Sequence, residues 1–120
     1  MAGPKPTEEN EKLLPGLATY ACLGRSGLRV SPLCLGTMTF GDGTSGVDAD
    51  EETSRRIFTR FVEAGGNFID TADLYTGGRS EELTGKFIGE MNNRDSLVLA
   101  TKCTFNYRPA DPNAGGNSRK

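Results

Sequence analysis

Three short apolar runs recur along the chain and define the predicted elements. They cover residues 33–37, 67–70 and 97–102, so their starting points are 34 and 30 residues apart. Runs that are short and almost continuously apolar are typical of strands whose two faces are both covered in a parallel sheet. The pattern therefore predicts three buried strands at regular spacing.

Two segments with helical periodicity lie between these runs. Residues 50–64 place apolar side chains on one stripe and carboxylates at the first turn, where the helix dipole favours negative charge, and a Gly-Gly pair follows. The second helix is predicted to begin at a Ser80 N-cap and to end near Met91. Its predicted buried face consists of Leu83, Phe87, Ile88 and Met91.

The alternation of strands and helices predicts an α/β fold with right-handed βαβ units and a parallel sheet. A β-hairpin is predicted before it, with arms at 18–23 and 28–31 around a turn that contains two glycines. Three parallel strands leave two open edges, and open edges pair with other strands. The sequence therefore predicts part of a larger parallel sheet or barrel.

Composition adds two expectations about organisation. Of the 120 residues, 35% are hydrophobic, with 16 glycines and six prolines, which predicts many turns and a thin core. Residues 1–17 are polar, include several acids and lack the apolar stretch of a secretory signal, so we expect a disordered lead. The domain is expected to occupy residues 18–120, and no apolar run approaches the length of a membrane span.

Charge and reactive side chains exclude several function classes. The net charge of -2 comes from interleaved acids and bases, which does not favour binding to nucleic acid or an anionic membrane. Three scattered cysteines without a CxxC pair indicate a reduced, cytoplasmic protein. The chain has no histidine, so neither a metal site nor a Ser-His-Asp triad is predicted.

Candidate chemistry lies at the carboxyl ends of the second and third strands, where α/β folds bind ligands. Asp70 ends one strand, Lys102 ends the next, and Tyr75 follows five residues after the aspartate. A phenol is a weak acid with a pKa near 10, and a nearby ammonium lowers that value. The three residues could protonate a carbonyl oxygen. The alternative is a strand-end ion pair beside an unrelated surface tyrosine.

Several segments, in order and at matching spacing, resemble the aldo-keto reductase family. The similarity runs from about residue 19 to 120. The segments are LGRSGLRVS at 23–31, LGTMTFG at 35–41, FIDTADLY at 68–75, TGGRSE at 76–81 and VLATK at 98–102.

The resemblance implies the N-terminal part of a (β/α)8 TIM barrel, with a leading β-hairpin and about three of the eight strands. It implies reduction of aldehyde and ketone carbonyls to alcohols with NADPH, so small-molecule carbonyl compounds are the expected partners. By resemblance, Tyr75 is the general acid, Lys102 tunes it, and Asp70 holds Lys102 and borders the nicotinamide. The expected lining of the nicotinamide side consists of Gly36, Thr37 and Met38.

The family's catalytic tetrad also contains a histidine at the end of the fourth strand, and this chain has none. Strands four to eight and the later segments that grip the cofactor have no counterpart either, so we expect a truncated reductase. The alternative is a non-catalytic fragment or a barrel-derived binding protein.

Four other features have competing interpretations. Residues 41–46 match the GxGxxG pattern of a Rossmann-type nucleotide-binding domain, but the acids that follow favour a surface loop. Arg79 and Arg108 could contact phosphates, although solvated surface arginines are favoured. Cys103 could have a redox role, although a small pocket-lining residue is favoured. The 105–117 segment is predicted to be either a substrate loop or disordered.

Overall fold

The computed structural model describes residues 16–42, 46–106 and 108–117. Most of the predicted disordered lead, residues 1–15, lies outside these ranges. The Leu17 amide donates a hydrogen bond to the Ala64 carbonyl at 3.0 Å. The chain therefore joins the body of the domain one residue before the predicted boundary.

The predicted hairpin is present but short. Strand β1 (Ala21–Cys22) pairs antiparallel with β2 (Arg29–Val30). The turn between them is closed by the Ser26 hydroxyl, which donates to the Leu23 carbonyl at 2.7 Å. Local hydrogen bonding of this kind fixes a turn without long-range contacts.

A three-stranded parallel sheet forms the centre of the domain, as the sequence predicts. Its strands follow the order β3 (Leu35–Gly36), β4 (Phe68–Asp70) and β5 (Val98–Ala100). The strands are shorter than predicted, so Lys102 lies two residues beyond β5 rather than at its end. Backbone pairing continues past the strands, because the Asp73 amide still donates to the Lys102 carbonyl at 3.1 Å.

Helix α1 (Glu51–Glu63) matches the first predicted helix. The Asp50 carboxylate accepts a hydrogen bond from the Thr53 amide at 2.8 Å and caps the helix. The chain reverses after Ala64 through Gly65, whose φ of +92° suits a glycine.

Helix α2 (Arg79–Met91) begins two residues earlier than predicted, and Ser80 is not its N-cap. Gly78 occupies the cap position with a φ of 98° and makes no side-chain cap hydrogen bond. The Ser80 side chain is fully buried and turns toward the sheet instead. The prediction was wrong because a short 3-10 turn (Tyr75–Gly78) delivers the chain into the helix without a side-chain cap.

The core lies between one face of the sheet and the two helices. Ile69 at the centre of β4 is fully buried there, whereas Gly36 and Asp70 are paired in register on the opposite sheet face. One face of the sheet therefore packs into the core, and the other face carries the Asp70 carboxylate. The buried core cluster consists of Phe40, Phe58, Ile69, Leu83, Phe87, Ile88 and Leu97.

Candidate active site

The ammonium group of Lys102 is the centre of the candidate site. It donates to Asp70 Oδ2 at 2.7 Å, to the Thr71 carbonyl at 2.9 Å and to the Tyr75 phenolic oxygen at 3.1 Å. An ammonium has three protons, so each of them has an acceptor. Lys102 thus contacts both of the other residues predicted from the sequence, Asp70 and Tyr75.

Tyr75 is positioned by the short turn that it opens. Its amide donates to the Ala72 carbonyl at 3.3 Å, and the next residue, Thr76, adopts a left-handed backbone with a φ of 49°. The Thr76 hydroxyl donates to the Phe40 carbonyl at 2.7 Å. Such a conformation is costly for a non-glycine residue and persists where surrounding contacts determine it.

The electrostatics of the site keep Lys102 charged. Two hydrogen bonds raise the pKa of Lys102 above the ordinary 10.5, and the bond to Asp70 has a larger effect than the bond to Tyr75. The side chain of Lys102 is 50% exposed and that of Asp70 is 35% exposed, so this is a solvent-accessible pair. At neutral pH a positive charge therefore lies 3.1 Å from the phenolic oxygen of Tyr75.

The residues expected to line the nicotinamide differ in their exposure. Gly36 lies opposite Asp70 in the sheet register, and no atom lies within 4 Å of where its Cβ would be. Met38 is 62% exposed. Thr37 is fully buried, and its hydroxyl lies 2.9 Å from Ser80 Oγ. The Thr37 side chain therefore holds structure together, whereas Gly36 and Met38 border open space.

Known proteins share these segments and their arrangement. The model of the Aldo/keto reductase family matches residues 32–120, which is more than half of the chain. The chain belongs to the aldo/keto reductase family. It is 49% identical over 89 residues to norsolorinic acid reductase of Aspergillus flavus, covering 72% of this chain and 23% of that protein. It is 38% identical over 99 residues to an aryl-alcohol dehydrogenase of Pestalotiopsis microspora, covering 78% and 26%.

Solved structures of aldo-keto reductases share the fold. The holo form of such an enzyme from Bacillus halodurans matches with a TM-score of 0.63 and 35% identity, covering 78% of this chain and 28% of that one. These neighbours are TIM barrels, which confirms the predicted fold class: this aldo/keto reductase chain forms a partial α/β unit corresponding to the N-terminal portion of the barrel. The chain spans about a quarter of the length of the norsolorinic acid reductases that it matches.

The glycine-rich segment 41–46 of this aldo/keto reductase has a packing role at its first residue. Gly41 is buried, and a Cβ there would lie 2.9 Å from the Asp48 Cβ. Helix α1 begins only at Glu51, and the Asp50 carboxylate already occupies its N-terminus. A phosphate at the same position is therefore disfavoured. Residues 43–45 lie outside the described residues.

Arg79 lies at the surface with its side chain 34% exposed, and acidic side chains surround it. It forms ion pairs with Asp42 at 2.9 Å, Glu51 at 3.0 Å and Glu82 at 3.2 Å. The two hydrogen bonds to Asp42 and Glu82 raise the pKa of Arg79. This arginine therefore joins the loop after β3 to both helices.

The segment after Lys102 forms a loop in its described part. The Gly116 amide donates to the Thr104 carbonyl at 2.7 Å, and the Asn106 side chain donates to the Asp111 carbonyl at 3.2 Å. Arg108 and Cys103 are exposed, so Cys103 does not line an enclosed pocket among the described residues.

Two features near the site escaped the sequence prediction. Cys34 is exposed, but partial desolvation, and then the charge of Asp70, raise the pKa of its thiol. Alternation along β3 could have indicated it, since Cys34 precedes Gly36 by two residues. The second feature is a buried hydroxyl cluster around Ser80, for which the sequence carries no local signal.

Proposed function

We propose that this chain contributes the proton-donating part of an NADPH-dependent carbonyl reductase. The observation that carries the proposal is the Lys102 ammonium, which contacts both Asp70 and the Tyr75 hydroxyl. A phenol beside a fixed positive charge, at the carboxyl end of a parallel sheet, is suited to general acid catalysis.

Each residue has a distinct task in the proposed reaction. Tyr75 gives its phenolic proton to the carbonyl oxygen as that oxygen gains negative charge, and the phenolate left behind is stabilised by Lys102. Asp70 holds the ammonium in place and keeps it charged. The Asp70–Lys102 pair is partly exposed, so solvent can reach this region and return a proton to Tyr75.

The residues at the rim fit a nicotinamide. Gly36 leaves open space next to Asp70, and the exposed Met38 offers an apolar side chain to a flat ring. NADPH, when bound, would supply the hydride to the carbonyl carbon, so that a carbonyl compound, NADPH and one proton yield an alcohol and NADP+.

The activity of one relative guides the choice of substrate, and the cysteines guide the choice of compartment. One relative is an aryl-alcohol dehydrogenase, and we therefore propose small aromatic carbonyl compounds as first substrates. The three cysteines are free and exposed, which is compatible with a reducing environment, and we propose the cytoplasm. Among the described residues, no helix combines the length and apolar character needed to cross a membrane.

The test is NADPH oxidation by the 120-residue chain in the presence of benzaldehyde, with Tyr75→Phe as the deciding variant. We expect Tyr75→Phe to lower kcat by roughly 100-fold or more, because the proton donor is removed, while NADPH binding stays unchanged.

Tyr20→Phe is the matched control. The Tyr20 hydroxyl is hydrogen-bonded as well: it donates to the Gly65 carbonyl at 2.9 Å. Tyr20 lies at the hairpin rather than at the sheet rim. Its loss should leave kcat unchanged. Equal turnover by Tyr75→Phe and the wild-type chain would overturn the assigned role, and NADPH binding without turnover would favour a binding protein.

A further inference from the structure

A cluster of buried hydroxyl groups lies directly behind the candidate active site. Ser80 and Thr37 are fully buried, and Thr71 is 2% exposed. They come from helix α2, the end of β3 and the residue after Asp70. Buried polar groups are costly unless they are hydrogen-bonded, so their pairing determines how this region packs.

Ser80 is the hub of this cluster. Its hydroxyl donates to the Thr37 carbonyl at 2.6 Å. Its oxygen also lies 2.9 Å from Thr37 Oγ1 and 3.3 Å from Thr71 Oγ1. A serine hydroxyl has one proton and two lone pairs, so with its proton on the carbonyl it acts as an acceptor toward the two threonines, and the single Thr37 hydroxyl proton is shared between Ser80 and the Asp70 carbonyl.

The cluster reaches the site through Thr71, which follows Asp70. The Thr71 amide donates to the Ala100 carbonyl at 2.9 Å, its hydroxyl contacts Ser80, and its carbonyl accepts from Lys102 at 2.9 Å. The backbone of β5 and the side chain of Ser80 thus fix Thr71 from two sides. What remains is a carbonyl aimed at the Lys102 ammonium.

A second connection runs through Thr37 to the backbone of Asp70. The Thr37 amide and hydroxyl both lie within hydrogen-bonding distance of the Asp70 carbonyl, at 3.0 and 3.2 Å. Because Ser80 contacts both Thr37 and Thr71, it holds the backbone on each side of the strand end that presents the Asp70 carboxylate.

We propose that Ser80 is a positioning residue: its buried hydroxyl fixes the backbone at Asp70 and Thr71 and thereby holds Lys102 against Tyr75. An effect of Ser80 on catalysis rests on the proposed function, whereas its effect on the position of Lys102 does not. Ser80 touches none of the three catalytic side chains directly in the hydrogen bonds of the described residues, so it acts through the backbone.

The experiment measures the ionisation of Lys102 by trace acetylation of the 120-residue chain with acetic anhydride across a pH series, read by mass spectrometry. In the wild-type chain the Asp70–Lys102 contact raises the pKa of Lys102. Ser80→Ala should loosen this contact and so lower that pKa. Acetylation of Lys102 at a fixed pH below that pKa should then rise roughly 3- to 10-fold. Lys86, which pairs with Glu51 at 2.6 Å on the helix surface, is the internal reference and should not change.

Thr84→Val is the matched control in the same helix. Thr84 is 1% exposed, and its hydroxyl donates to the Ser80 carbonyl at 2.7 Å, so its loss removes a buried hydrogen bond without touching the cluster's link to the sheet. Its Lys102 profile should match the wild-type chain. An equal rise in Thr84→Val would show general loosening and overturn the proposal.

Thr71→Val provides a second route if Ser80→Ala does not fold, as judged by circular dichroism. This variant keeps the bond from Ser80 to Thr37 and removes only the hydroxyl that reaches Thr71. We expect it to reproduce the rise at Lys102. An unchanged Lys102 profile in a folded Ser80→Ala or in Thr71→Val overturns the proposal, and since acetylation needs neither NADPH nor turnover, that result is separate from any failure of the proposed function.

Discussion

Lys102 donates a hydrogen bond to the Tyr75 phenolic oxygen at 3.1 Å, and the same ammonium lies 4.8 Å from the centroid of the tyrosine ring. The contact therefore combines a hydrogen bond at the oxygen with a position close enough to the ring for a cation–π attraction. Asp70 accepts a hydrogen bond from the same ammonium at 2.7 Å and holds it next to the phenol. The tyrosine oxygen thus faces a charge whose position is fixed.

The first prediction concerns that charge. Lys102→Met keeps a long side chain but removes the ammonium, so the Tyr75 phenolate loses its stabilising partner. We expect kcat for NADPH-dependent reduction of benzaldehyde to fall by roughly 100-fold or more. Lys86→Met makes the same chemical change on the surface of helix α2, where Lys86 pairs with Glu51, and it should leave kcat unchanged. Similar kcat values for the two variants would contradict the role of Lys102.

The second prediction concerns alkaline pH. The pKa of Lys102 is raised in the folded state, mainly by Asp70, so its stabilising effect is complete below 10.5 and disappears as the pH rises through the higher folded value. Asp70→Asn removes the main cause. We therefore expect the wild-type chain to lose more stability than Asp70→Asn between about pH 9 and pH 12, measured by urea denaturation.

Asp95→Asn is the control for this comparison, because Asp95 is an exposed aspartate in the turn before β5. Its alkaline decline should parallel that of the wild-type chain. Parallel curves for wild type and Asp70→Asn would mean that the Asp70–Lys102 contact does not form in solution.

The strand pattern was sufficient to predict that Asp70 and Lys102 meet, because apolar periodicity locates strands and parallel strands bring their carboxyl ends to one rim, whereas Tyr75 was assigned to the site by the family resemblance. The sequence was not sufficient for Ser80 or Arg79. Whether Ser80 caps its helix or turns toward the sheet depends on the backbone at Gly78, with its φ of 98°, and on the distance to β3. These are long-range properties of packing, and a helix-start pattern does not contain them.

Arg79 illustrates the same limit for surface charge. Two of its three partners are distant in sequence, at Asp42 and Glu51, and only Glu82 is a neighbour along the helix. A single arginine in a polar stretch gives no indication of which acids will surround it. The sheet and helices must first be assembled before the ion pairs can be identified.

The third prediction concerns acidic pH and Glu51, which lies in the first turn of α1. Hydrogen bonds from Lys86 and then Arg55 lower the pKa of Glu51 to about 2. Its stabilising effect is therefore complete above 4.5 and is lost as the pH falls from 4.5 toward about 2. Glu51→Gln should flatten the acid decline in stability over this range, measured by thermal unfolding.

Glu52→Gln supplies the control at the adjacent, exposed position. It should retain the acid decline of the wild-type chain. If Glu51→Gln and Glu52→Gln gave the same curve, the ion pairs around Glu51 would not contribute to folding.

The fourth prediction compares two glycines. A Cβ at Gly66 would lie 2.4 Å from the Cε1 and Cζ atoms of Phe61, so Gly66→Ala must displace an aromatic ring that packs against the core. We expect Gly66→Ala to lower the free energy of unfolding by about 1–3 kcal/mol in urea denaturation.

At Gly85, in the exposed middle of α2, no atom lies within 4 Å of an added Cβ. Gly85→Ala should raise the free energy of unfolding by about 0.5–1 kcal/mol, because alanine loses less backbone entropy in a helix. Equal effects at the two positions would show that Phe61 does not pack over Gly66 as the structure describes.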